Sequence, residues 1–191
     1  MIIFLIIIFI LLYCFYKLNL EVKYVESLID SKKYLVRDLP DAQTASDMLS
    51  KLKEKIIILT NKLYKLRETK YKSNKNYIER LYNRVVEGSC VFSESSPDSN
   101  YTSYSVNKGE ELVFCLRSKR TKEFHSINLI TYVMLHEIAH IACPEYGHTP
   151  LFNSIFAFLT REAIKMNLYE KIDFEKNPVE YCGMMVNSSI V

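Results

Sequence analysis

"HEIAHIACPEYGH", residues 136–148, decides how the rest of the chain is read: thirteen positions hold three of the four histidines of a 191-residue sequence, together with two glutamates. His136 and His140 stand four apart, so on a helix they project from one face, a single turn from each other. That spacing lets two imidazoles reach one ion at about 2.0–2.1 Å. Glu137 sits beside the same face. The surrounding run, "INLITYVMLHEIAHIA" (127–142), is apolar nearly all round and reads as a central, buried helix. Ser126 can cap its start, and Cys143 followed by Pro144 stops it. Two imidazoles and a carboxylate inside such a helix cost on the order of several kcal/mol unless they are compensated, and a divalent cation with its bound water compensates all three. Two ordinary core histidines around a glutamate would leave that cost standing.

The roles follow from position. Zinc polarises a carbonyl and acidifies water, while Glu137 takes the water's proton and can pass it to a leaving amine, so Glu137 reads as general base and not as a ligand. The third ligand has to come from beyond the helix. In "CPEYGHTPLF" (143–152), Gly147 permits a sharp reversal and His148 follows it. Thr149 and Pro150 then make an N-cap and first residue for a second helix, "PLFNSIFAFLTREAIKM" (150–166). His148, held between a turn and a capped helix, is the choice for third ligand. Glu162 on the second helix is its rival, since sites of the His, His, Glu type take their carboxylate from a later helix. Glu145 is a weaker candidate. His125 reads as a surface or capping residue, and Cys143 as a small buried packing residue.

The chain opens with "MIIFLIIIFILLYCFYK", sixteen apolar or aromatic residues before the first charge at Lys17. As a helix this run is about 24 Å long, and Leu18, Leu20 and a snorkelling Lys17 extend it toward a hydrocarbon core of about 30 Å. It has no basic leader and no small-x-small cleavage site, which argues against a cleaved signal peptide. The expected organisation is a transmembrane anchor over 1–20, a linker over 21–40 and a zinc metallopeptidase domain over 41–191. Within that domain, 41–87 is a basic helical part and 95–185 the catalytic core. Lys17 and Lys23 follow the apolar run, so the positive-inside rule leaves the bulk of the chain on the cytosolic side of the membrane. Cys14, Cys90, Cys115, Cys143 and Cys182 are odd in number, widely spaced and free of any C-x-x-C pair. Neither a disulfide framework nor a cysteine zinc knuckle is expected, and reduced thiols agree with the cytosolic side.

The formal net charge is +3, unevenly spread: residues 51–84 carry 11 Lys/Arg against 3 Asp/Glu, and residues 85–191 carry 9 against 13. In "DAQTASDMLSKLKEKIIILTNKLYKLRETK" (41–70), Met48, Leu52, Ile56, Leu59, Leu63 and Leu66 recur at spacings of three and four, an amphipathic helix. Its other face carries Lys51, Lys55, Lys62 and Lys65, and "YKSNKNYIERLYNR" (71–84) continues with tyrosines among basic residues. This surface is either a contact for nucleic-acid phosphates or anionic lipid, or a solvated lysine-rich face. From "EGSC" to "SSPDSN" (87–100) the composition is that of a loop. "YTSYSVNKGEELVFCLRS" (101–118) then reads as a hairpin about "NKGE". Its second strand, 110–118, could align an extended peptide by edge addition or be an ordinary sheet strand. Arg117 and Tyr181 are the polar residues considered for oxyanion stabilisation, with an ordinary surface or packing role favoured for each.

"HEIAHIACPEYGH" followed by "TPLF" resembles the WLM-type zinc metallopeptidases, relatives of the SprT-like proteases. "YTSYSVNKGEELVFCLRS" and "NPVEYCGM" (177–184) are similar to versions encoded by large DNA viruses and some protists. The resemblance implies an α+β, zincin-like domain of the minigluzincin type, with an active-site helix and a small antiparallel sheet. It implies zinc on His136, His140 and His148, a catalytic Glu137, and a link to cleavage of proteins crosslinked to DNA. The expectation is therefore a membrane-anchored zinc endopeptidase acting on a peptide or protein substrate. The alternatives are a catalytically silent, anchored interaction protein of the same fold, and a DNA-associated protease recruited through 51–84.

Overall fold

The computed structural model describes residues 2–191; Met1 and the side chains of residues 2 and 15–20 lie outside the description. Helix α1 (Ile2–Glu21) runs into β1 (Val22–Glu26), which pairs antiparallel with β2 (Lys33–Arg37). The chain then crosses over through α2 (Ala42–Lys65) and α3 (Lys75–Tyr82), whose end widens into a π-helical turn, Asn83–Glu87. The crossover lets β3 (Val91–Glu94) lie parallel to β2, as parallel pairing requires. β4 (Tyr104–Val106) and β5 (Glu111–Phe114) form the expected hairpin, but β5 inserts between β3 and β4, so the sheet order is β1-β2-β3-β5-β4.

Three expectations change here. The linker over 21–40 is a β-hairpin whose Tyr34 and Val36 are buried, and the loop over 87–100 contains β3. The sheet is mixed rather than antiparallel, because β3 is parallel to both β2 and β5. Of the two readings of 110–118, the ordinary sheet strand holds: the segment is inner, with both edges paired, so β4 is the outer strand on that side.

The core forms where α2 lies on the sheet. Leu49, Leu52, Ile56, Leu59 and Leu63 present one apolar stripe to Phe92, Leu112 and Phe114, and α4 (Ile127–Ala142) adds Leu135 and Ile138. Lys51 and Lys62 stay exposed on the other face of α2. Arg117, expected as a surface or packing residue, is instead buried in an ion network. Its Nε donates to Glu94 Oε1 at 2.9 Å, a second nitrogen pairs with Asp41, and the backbone N–H of Arg37 donates to the other Glu94 oxygen at 2.9 Å.

Two further expectations, the transmembrane anchor and the reduced thiols, lack support. Among the described residues no helix is long and apolar enough to cross a membrane. Of the expected anchor, the side chains described are those of residues 3–14. The rest of the expected anchor, 15–20, lies outside the described side chains. Cys115 and Cys182 form a disulfide across a sequence separation of 67, against the expectation of reduced thiols, while Cys14, Cys90 and Cys143 are free. Spacing cannot report this pair, because only the folded sheet brings the chain after β5 beside the turn between β6 (Val179–Tyr181) and β7 (Met184–Val186).

Candidate metal centre

Local signals build the two helices of the site as the sequence implies. Ser126 Oγ accepts from the Leu129 N–H at 3.2 Å and starts α4; the helix ends where Cys143 turns extended. Thr149 Oγ1 accepts from the Phe152 N–H at 3.2 Å and starts α5 (Pro150–Lys165). Between them Gly147 takes φ +78° with nothing within 4 Å of a would-be Cβ, so its conformation and not its size is what the turn needs. This delivers His148 to the helix face: its Nε2 lies 3.0 Å from His136 Nε2, which lies 3.2 Å from His140 Nε2. The three potential ligand atoms all fall within 4.8 Å of one another. Nitrogens arranged tetrahedrally at 2.0–2.1 Å from one ion stand about 3.3 Å apart, so the donor set fits zinc. Phe152 stacks on His140 at 4.2 Å between ring centroids and meets His136 edge-on, which restrains both rings.

Burial sets the charge of the group. It pushes His136 down to about 3 and His140 to about 4, helped by the neighbouring imidazoles and, for His140, by Lys108. Both are therefore neutral at pH 7, the form that binds metal. Glu137 is 7% exposed, and burial raises it to about 8. A cation beside it would return it to the carboxylate form.

The rivals are elsewhere. Glu162 on α5 is buried against the crossover connection, accepting from Tyr71 Oη at 2.6 Å and paired with Lys165 Nζ at 2.6 Å. Glu145 is exposed in the turn. His125 is not a surface or capping residue: it is buried, and its Nε2 accepts from the Cys182 N–H at 3.1 Å. Tyr181 is also buried; its ring packs on His125 and its hydroxyl sits 2.6 Å from Ser103 Oγ. Cys143 is fully buried, as expected of a packing residue.

Two features of the site were missed in the sequence. The β6–β7 hairpin, stapled through Cys182, contributes Tyr181, Met184 and Met185 to a cavity of about 420 Å³ beside His136, Glu137 and Phe156. The C-terminal end of α4 is held by cations from other elements. Lys108 Nζ donates to the carbonyls of Cys143, Pro144 and Glu145 at 3.0–3.1 Å, and Arg80 Nε donates to Ile141 O at 3.2 Å. No local motif could reveal these, because both donors are more than thirty residues upstream in the chain.

The chain has measurable relatives. Uncharacterized protein R325 of Acanthamoeba polyphaga mimivirus is 43% identical over 177 residues, 92% of this chain and 87% of its own length. Uncharacterized protein 136R of Invertebrate iridescent virus 6 is 36% identical over 83 residues, 42% of this chain and 44% of its own. The crystal structure of Wss1 from Saccharomyces cerevisiae aligns with 52% of this chain and 84% of that one at 20% identity, with a TM-score of 0.36, too low to carry anything across. The model of the WLM domain matches residues 29–177, a span that takes in the β2 strand, the crossover helices and both helices of the histidine cluster. On that match, the chain belongs to the WLM domain family.

Proposed function

We propose that the protein is a zinc-dependent endopeptidase in which His136, His140 and His148 hold the ion and Glu137 is the general base. The observation that carries this reading is the convergence of three imidazole Nε2 atoms, 3.0 and 3.2 Å apart, beside a buried carboxyl group. A divalent ion held there supplies Lewis acidity toward a substrate carbonyl and toward water. Glu137 accepts the proton of the attacking water on a carboxylate oxygen and delivers it to the departing amine nitrogen. A group that sits near 8 without a cation and is lowered by one is well placed for both transfers at neutral pH. The cavity beside Glu137 is lined mainly by Tyr132, Phe152, Phe156, Met184 and Met185 and suits an apolar side chain. The outer edge of β4, rather than the 110–118 strand, is the edge available to an extended peptide backbone.

The test is zinc content and peptide cleavage by the full chain, its Glu137→Gln variant and its His148→Ala variant. Wild type should bind about one zinc and cleave; Glu137→Gln should keep the ion and lose on the order of 10²–10⁴-fold in rate. Equal cleavage by wild type and Glu137→Gln would overturn the general-base role, and bound zinc with no cleavage by wild type would favour the catalytically silent reading.

Membrane attachment is also proposed, and what supports it is the row of exposed apolar side chains from Ile3 to Tyr13, with Ile3 75% and Phe9 72% exposed. With Cys115 and Cys182 paired, the cytosolic orientation rests on Lys17 and Lys23 alone. Flotation of the full chain with vesicles, lost on deleting residues 1–14, tests attachment. A role on proteins crosslinked to DNA draws support from the family and from the basic 51–84 segment. Retention on DNA that falls steeply with salt tests it.

A further inference from the structure

The histidine cluster opens on two sides of contrasting chemistry. On the Glu137 side lies the apolar cavity. On the His140 side lies a second one, of about 520 Å³, lined by Arg80, Arg84, Lys108, Ser105, Asn107 and Glu145. Its cations come from three places: Arg80 from α3, Arg84 from the π-helical turn, and Lys108 from the β4–β5 turn. Among the described residues no carboxylate lies within ion-pairing distance of any of them. Glu145 is the one acidic side chain in the lining, and nearby Glu110 accepts from Asn107 Nδ2 at 2.8 Å.

The three cations are not equivalent. Lys108 is occupied by three backbone carbonyls at the end of α4 and lies 4.2 Å from the Tyr146 ring centre, so it builds the wall. Arg80 uses Nε on Ile141 O, which leaves its two outer nitrogens. Arg84 is exposed and keeps its whole guanidinium. Its stem is set by close packing. Gly109, at φ +111°, packs closely against it: a Cβ there would fall 3.1 Å from Arg84 Cβ and 3.2 Å from Ile141. The outer segment leading along β4 joins the two cavities, with Thr102 lining the apolar one and Ser105 the basic one. Three residues of extended chain span about 10 Å. A peptide laid along β4 with its reacting carbonyl at the histidines therefore places neighbouring side chains in opposite cavities.

We propose that the His140-side cavity is a specificity subsite for an acidic side chain of the peptide substrate, with Arg84 as its principal determinant and Arg80 as its second arm. This rests on the peptidase reading of the same site. A guanidinium fork matches a carboxylate bidentately, which a solvated lysine face does not. The preferred substrate then carries an apolar residue on one side of the scissile bond and Asp or Glu on the other.

The experiment uses the zinc-loaded full chain and fluorogenic peptides identical except at one position, occupied by Glu, Gln or Lys, opposite an apolar residue across the bond and in both orders. Wild type should prefer Glu over Lys by about ten- to a hundredfold in kcat/KM. Arg84→Glu should invert that ratio, and Lys51→Glu, on the far face of α2, should keep it. The same peptides are bound to zinc-loaded Glu137→Gln protein, with and without Arg84→Glu, and followed by fluorescence anisotropy. Tighter binding of the Glu peptide that Arg84→Glu abolishes supports the subsite whether or not wild type cleaves; absent cleavage with that binding intact would sink the peptidase reading alone. Equal ratios in wild type and Arg84→Glu would overturn the proposal. So would Arg84-dependent binding of a single-stranded oligonucleotide with none of the acidic peptide, since the cavity would then serve phosphates.

Discussion

Removing the metal should make the stability of this protein depend on pH through one side chain, Glu137. Its carboxyl is 7% exposed, and burial alone raises it from 4.5 to about 8. The unfolded chain ionises this group above about 4.5, while the folded chain holds the proton until about 8, so the folded state binds more protons between those values. The stability linked to that proton is fully present below pH 4.5 and is lost as pH rises through 8. Integrated from pH 6.5 to 8.5, the loss is about 2 kcal/mol. His136 and His140, held below their ordinary value, act in the opposite sense, losing stability as pH falls from 6.5 toward 3–4. They are present in both wild type and Glu137→Gln, so they cancel in the difference. Urea unfolding of the two chelator-treated proteins should therefore show profiles that converge or cross as pH rises from 6.5 to 8.5, the wild type losing about 2 kcal/mol relative to the variant. With zinc present the ion holds the carboxylate ionised, the dependence closes, and binding at pH 7 should release close to one proton from Glu137. Calorimetry in two buffers of different ionisation enthalpy measures it. Parallel unfolding profiles, with zinc binding that releases the same number of protons from wild type and Glu137→Gln, would show that Glu137 is solvated and ionised without metal. That result would remove the electrostatic case for a cation at this site.

His136→Ala, His140→Ala and His148→Ala should each lower bound zinc well below stoichiometric after dialysis, whereas His125→Ala and Glu162→Gln should retain it, since those two side chains are committed to Cys182 and to Tyr71 with Lys165; elemental analysis reads the result. Arg117→Met leaves Glu94 buried without its closest cation and should cost about 3–5 kcal/mol in urea unfolding. Replacing Cys115 and Cys182 together by serine opens a link across 67 residues and should cost about 4 kcal/mol, with faster amide exchange confined first to the β6–β7 hairpin.

What could be read from the sequence was whatever depends on neighbours a few positions apart. Ser126, Thr149 and Pro150 cap their own helices, His136 and His140 share a face by spacing, and the stripe from Leu52 to Leu63 declares its buried side. What could not be read depends on distant pairing. β2 and β3 look like linker and loop because each is four or five residues long, and their parallel partnership exists only once α2 and α3 have crossed over. Glu94 meets Arg37 across 57 residues of chain, Tyr71 meets Glu162 across 91, and Cys115 meets Cys182 across 67. The second of these settles where Glu162 points. In the sequence Glu162 stands as the rival of His148 for the metal; the Tyr71 hydroxyl and Lys165 give it a different task.

The same distance dependence explains why basic residues cluster where a positive ion is expected to bind. A cation near His140 favours its neutral form, which helps ligation, yet repels a divalent ion, which opposes it. Lys108 limits the second effect because its Nζ is surrounded by the carbonyls of Cys143, Pro144 and Glu145 at the negative end of α4, and Arg80 likewise donates to Ile141 O. Their charge is thus matched locally by helix-end carbonyls that would otherwise face the cleft without donors. The matched pair of helix end and cations fixes the turn that carries His148 three residues beyond Glu145. Arg84 stands outside this arrangement, with no carbonyl and no carboxylate bound among the described residues, so its charge is the part of the cluster left over for a substrate.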